Sequence, residues 1–228
     1  PAVLEAYYQA IDSVDPLVID LAVRAISGRS AAHLAEFIPL FSRERFLSDC
    51  ADDEKLLFRL NQVMRRVRLP VLPASFAAAL AEETRNKPVL QQQAWLLLSE
   101  AAERGRDPLR RIHALERALT LAREYPAPER LLVARADDLW DAYLRYAETV
   151  GNDRRLLIGD DAAWLKHAES YRRDDATQAR AFYAFLAVHA AADEARAHAT
   201  RKLVDLLVED GRGEVLRALY AASGRYTE

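Results

Sequence analysis

The residues of this chain equipped for acid–base, metal or nucleophilic chemistry are five histidines, one cysteine and a handful of paired carboxylates. His33, His113, His167, His189 and His198 belong to no HExxH pattern and to no Cys/His cluster with metal-ligand spacing. His189 and His198 fall on neighbouring predicted helices within reach of each other across a turn. No cysteine or acidic ligand is suitably spaced beside them, so they read as surface or boundary histidines. Asp52-Asp53, Asp160-Asp161 and Asp174-Asp175 each precede a predicted helix, where capping and the helix dipole account for a carboxylate. Asp137-Asp138 lies mid-helix, where one carboxylate pairs with an arginine such as Arg135 or Arg145. Cys50, the only cysteine, has no basic neighbour to lower its pKa and reads as an inert thiol that forms no intramolecular disulfide. No nucleophile elbow, phosphate-binding loop or dinucleotide fingerprint occurs.

Two other groupings compete for a binding role. The loop from Gly151 to Asp161 holds two glycines and two arginines before a helix N-terminus, which is the make-up of an anion cradle. Its aspartates oppose that, and the reading preferred is an interhelical turn with Leu156, Leu157 and Ile158 tucked into the core. Arginine clusters at Arg65-Arg66-Arg68, Arg110-Arg111, Arg154-Arg155 and Arg172-Arg173 suggest a basic strip, but i,i+4 pairs such as Glu169 with Arg173 explain most of them. Tyr7-Tyr8, Trp140-Tyr143 and Phe182-Tyr183-Phe185 have helical spacing and read as core.

The elements that would position these residues are all helical. Alanine, leucine, arginine and glutamate dominate, and there are no long Val/Ile/Thr alternations to make a sheet. Asp15-Pro16 and Asp107-Pro108 place a capping carboxylate before a proline at the first helical position. Gly28, Gly105, Gly151 and Gly211 are expected stops, where a left-handed residue ends a helix. The punctuation predicts about twelve helices, near 2–12, 16–27, 30–47, 53–67, 74–85, 88–104, 108–124, 128–150, 161–172, 175–190, 193–210 and 213–223. The breaks between them are too short for flexible linkers, so residues 1–228 are expected to form one unit.

Composition narrows the function classes. The formal charge of −3 and pI of about 6.0 lack the basic surplus of a nonspecific nucleic-acid binder. Only Lys55, Lys87, Lys166 and Lys202 are lysines among 32 basic residues, a bias that suggests a GC-rich bacterial genome. No stretch of 18 apolar residues and no signal peptide is present. The chain starts at Pro1 without methionine, which reads as a processed protein or an excised piece.

Trp95 and Trp164 lie 69 residues apart, each opening an alanine-rich helical stretch. That is about twice the roughly 34-residue period of a helix-turn-helix repeat. The segment from Ala94-Trp95-Leu96-Leu97-Leu98-Ser99 to Ala118-Leu119-Thr120-Leu121 resembles a tetratricopeptide repeat. Trp95, Leu98, Ser99 and Ala102 stand at the first-helix positions, and Leu115 and Ala118 at those of the second. Trp164, Ala168 and Tyr171 repeat the first-helix pattern, with Ala181 and Phe185 following after a one-residue insertion. A partial copy runs through Leu203, Leu207, the turn Gly211-Arg212-Gly213-Glu214, Leu216 and Tyr220. Leu131 to Val150 departs from it as one long helix.

The resemblance implies an all-α fold, a right-handed α-solenoid of antiparallel helix pairs, irregular over 1–90 and tetratricopeptide-like over 91–228. It implies a non-enzymatic scaffold that binds a protein or peptide, with no cofactor and no metal. The implied inner face carries Gln93, Glu100, Glu103, Arg104, Glu169, Arg172 and Arg173. Bacterial cell-envelope assembly or secretion is the expected setting, in the periplasm or at the outer membrane. The alternative is the helical, non-catalytic region of a larger enzyme such as a soluble lytic transglycosylase.

Overall fold

A computed structural model describes residues 51, 52, 54, 74–123, 129–171 and 175–222. Every element in that range is a helix, and no strand occurs among the described residues. The helices are α1 (Ala74–Glu83), α2 (Pro88–Arg104), α3 (Pro108–Thr120), α4 (Glu129–Asp153), α5 (Asp161–Tyr171), α6 (Ala176–His189), α7 (Asp193–Glu209) and α8 (Gly213–Ala222). A 3-10 turn, Leu121–Arg123, follows α3. The four helices expected before residue 68, together with His33 and Cys50, lie outside the described residues, apart from helical residues at 51, 52 and 54.

The chain divides into two compact units at Asp107 and Pro108. In the first, α1 and α2 form a helix pair. Phe76, Ala77, Leu80 and Ala81 of α1 are buried, as are Ala94, Leu97, Leu98, Ala101 and Ala102 of α2. The small residues allow the axes to approach, and the large ones fill the space between. Gln91 Nε2 donates to the Ala81 carbonyl at 3.3 Å, and Lys87 Nζ to that of Ala51 at 2.9 Å. The expected left-handed stop at Gly105 is displaced by one residue. Gly105 stays right-handed at φ −73°, and Arg106 takes φ 57°.

The second unit is arranged around α6. Ala179 to Leu186 are all buried, eight residues in a row. A helix buried on every side is a central one, and α6 packs against α3, α4, α5 and α7. On α4 the buried positions include Ala136, Leu139, Trp140, Tyr143, Tyr146 and Ala147, the stripe a 3.6-residue period gives. The last helix, α8, returns to pack on α3 and α4. Trp140 Nε1 fastens it there by donating to the Leu219 carbonyl at 3.2 Å. A solenoid whose repeats touch only their neighbours would not bring α8 onto α3. The second unit closes on itself instead.

The two tryptophans that suggest the repeat are not equivalent. Trp164 is 3% exposed, whereas Trp95 is half-buried. Trp164→Ala is therefore expected to cost about 3–5 kcal/mol and Trp95→Ala about half as much, as urea titration of both variants would show.

Candidate functional site

Among the described residues, a group of ionisable side chains is gathered inside the second unit, around Glu116. On α3 this residue falls one turn after Ile112 and three residues before Leu119, on the buried stripe, and it is fully buried. Its partner Arg180 sits on the central helix α6 with 1% exposure. Arg180 Nε donates to Glu116 Oε1 at 2.8 Å, and Nη2 to Oε2 at 2.9 Å. This two-pronged geometry is the strongest an arginine makes with a carboxylate. Tyr143 on α4 donates its hydroxyl to Oε1 at 2.5 Å. Arg212, in the turn between α7 and α8, donates to Oε2 through Nη1. Arg180 also donates to Thr177 Oγ1 at 3.0 Å and to Asp210 Oδ2.

Each Glu116 oxygen thus accepts two hydrogen bonds, and four segments of the chain meet at one carboxylate. Burial alone would lower the Arg180 pKa, but the paired Glu116 holds it above the ordinary arginine value. Arg212 is pulled the other way, by burial first and then by repulsion from Arg180. It is the more loosely held half of the centre and is 13% exposed. Burial and the neighbouring Glu116 charge push the Tyr143 hydroxyl well above its usual value, so it stays a donor.

A second cluster is aromatic. Trp164 stacks on Phe185 with ring centres 4.3 Å apart, and Tyr171 on Phe182 at 5.7 Å. His167 and Phe182 meet in a T-shaped arrangement with ring centres 4.7 Å apart. Burial pushes the Tyr146 hydroxyl up to about 12, and it donates to Gln178 Oε1 at 2.5 Å. The aromatic groups on α4 and α6 are core, as their spacing predicts; Tyr7-Tyr8 lies outside the described residues.

Two histidines make this unit sensitive to acid. His113 is lowered below 6.5, chiefly by burial and then by Arg117 and Arg212. His167 is lowered too, by burial and by Arg154. The unfolded chain takes up protons at pH values where the folded chain does not. Their contribution is complete above 6.5 and declines as pH falls through the window below it. The urea midpoint is expected to drop between about pH 7 and about pH 5, and to drop less in a His113→Gln/His167→Gln variant.

The proposed binding residues distribute as follows. Gln93, Glu100 and Arg104 lie half-buried on one side of α2, and Glu103 is exposed. Glu169 is exposed on α5 and accepts from the buried Tyr183 hydroxyl at 2.7 Å. Arg172 and Arg173 lie outside the described residues, as do Arg65, Arg66 and Arg68. Asp138 pairs with Arg135 at 3.1 Å, one of the two arginines expected for that pair of acids. Asp160 and Asp175 cap α5 and α6. Asp161 instead reaches back to the amides of Ala191 and Ala192.

Two further expectations are overturned. Gly151 does not end a helix. α4 runs on to Asp153, and the glycine is buried against the Trp164 ring. Leu157 and Ile158 are not in the core but 73% and 75% exposed. Left-handed Arg155 (φ 58°) and Gly159 (φ 96°) bracket the apolar run and turn it outward.

No sequence motif marks the Glu116 centre. The available signal was a charged residue on each of two otherwise apolar helix faces, with opposite signs. No group of three or more His, Cys, Asp or Glu side chains among the described residues is placed to hold a metal ion. Comparison with protein-family models, curated proteins and solved structures gives no match.

Proposed function

We propose that this chain is a non-enzymatic, protein-binding helical module. The closure of the Glu116 centre carries the reading. The acid–base constellation around Glu116 is buried and engaged with itself, every Glu116 oxygen already accepting two donors. Such a carboxylate holds helices together, and a general base needs a free lone pair facing its substrate. What the unit offers to another molecule is then its surface.

The candidate binding residues of this reading are Gln93, Glu100, Glu103 and Arg104 in the first unit and, separately, Glu169, Arg172 and Arg173 in the sequence of the second. Their mixed signs suit a partner read by charge pattern. The likeness to tetratricopeptide repeats is kept at the level of helix pairs, and bacterial cell-envelope assembly or secretion is the setting proposed by analogy. The test is a pull-down from the native host, followed by binding measurements with an Arg172→Glu/Arg173→Glu variant. The variant is expected to fold normally and to associate more slowly, with the larger effect at low salt. Unchanged affinity at low salt would remove Arg172 and Arg173 from the reading, and turnover by the purified chain would overturn the non-enzyme reading.

A further inference from the structure

We propose that the C-terminal half of α5, His167 to Tyr171, is a strap that lifts from α6 in acid and uncovers the Phe182 ring, while the rest of the second unit stays folded. The two ends of α5 are held differently. At the first end Asp161 accepts from the amides of Ala191 and Ala192, and the Trp164 indole donates to the Leu157 carbonyl at 3.1 Å. The same indole ring lies against Gly151 and stacks on Phe185. The other end rests on the buried Phe182 through two rings. Tyr171 stacks on it and His167 meets it T-shaped, with the His167 and Tyr171 ring centres 5.0 Å apart. The Tyr183 hydroxyl donates to Glu169, and the Asp175 amide donates to the Tyr171 carbonyl at 2.8 Å, which tethers the strap where the chain turns into α6.

His167 is the weak point of that end. Its Nε2 is buried and has no hydrogen-bond partner. Both ring nitrogens of an imidazolium are donors, so protonation sets an N–H and a charge where no acceptor meets them. Among the described residues, the charge that acts on His167 is that of Arg154, just after α4, and it opposes a proton there. The other polar groups nearby are engaged elsewhere. The Tyr146 hydroxyl of α4 donates to Gln178, and Asp175 at the start of α6 accepts from the amides of Thr177 and Gln178. His189, at the far end of α6, lies against Phe185. Glu169 holds the Tyr183 hydroxyl, and residues two apart on a helix do not face each other. Lys166 is exposed.

Lifting the strap gives the imidazole to water. The lifted form therefore takes the proton more readily, and its population rises as pH falls below 6.5, the ordinary histidine value. The Glu116 centre joins α3, α4, α6 and the α7–α8 turn without a residue of α5, so it stays whole when the strap lifts.

The test is amide hydrogen exchange of the full chain, read as protection factors at about pH 7.5 and about pH 5.5. The amides of residues 167–171 are expected to be less protected than those of residues 179–186 in α6, and to lose up to about tenfold in protection across that interval. His167→Phe keeps a ring on Phe182 but takes no proton, and should abolish the loss. His113→Gln should leave the loss unchanged, because lifting the strap exposes His167 and not His113. A loss that His167→Phe retains overturns the proposal. So does one that His113→Gln reduces, since the strap then opens only with the whole unit. Proton NMR titration of His167 in the unaltered chain needs no variant. A midpoint below 6.5 is expected, and one at or above it overturns the proposal by showing that the Phe182 ring shelters the imidazolium.

Discussion

Glu116→Ala is expected to destabilise the second unit by about 3–5 kcal/mol, the range for removing one member of a buried ion pair. The cost arises from what is left behind. Arg180, 1% exposed, would keep its charge with only Asp210 and Thr177 as partners, and the Tyr143 hydroxyl would lose its acceptor. Arg212→Ala is expected to cost less, because that guanidinium is partly exposed and repelled by Arg180. Replacing Glu116→Leu, Arg180→Met, Arg212→Leu and Tyr143→Phe together should recover most of the loss, since packed apolar side chains need no desolvation of charge. Urea titration of the three proteins checks the order. A Glu116→Ala cost below about 1 kcal/mol would mean that water or a neighbour replaces the carboxylate.

The second large effect runs against helix propensity. Gly151 lies within α4, where alanine usually stabilises by about 0.5–1 kcal/mol. Here a Cβ at residue 151 would sit 2.2 Å from Trp164 Cη2 and 2.7 Å from Cζ2. The ring has nowhere to move, being stacked on Phe185 and tied to the Leu157 carbonyl. Gly151→Ala is therefore expected to cost about 3 kcal/mol through overpacking. Placed on Trp164→Leu, the same alanine should become neutral or stabilising, a coupling that a double-mutant cycle measures. Additive effects would show that the helices separate freely at this contact.

The described helices were legible in the sequence because their ends are local. Pro88, Pro108, Asp175 and Gly211 mark boundaries with rules that involve only a few neighbours. The rest depends on residues far apart in the chain. Glu116 meets Arg180 64 residues on and Arg212 96 residues on, and no spacing rule links them. Leu157 and Ile158 look like core because they are apolar, yet a two-residue difference in backbone handedness turns them into solvent. Trp95 and Trp164 look alike in sequence, and only the packing around each distinguishes them.

The return of α8 to α3 and α4 has a consequence for synthesis. A ribosome delivers Glu116, Tyr143 and Arg180 well before Arg212 and Leu219. Until α8 emerges, Glu116 lacks one of its cations and the Trp140 indole lacks the Leu219 carbonyl. At the usual rate of about 5–20 residues per second, the nascent chain spends several seconds with the apolar faces of α3 and α4 uncovered. During that interval the unit is open to holding chaperones and to association with other chains, and the Glu116 centre closes only once α8 has joined it.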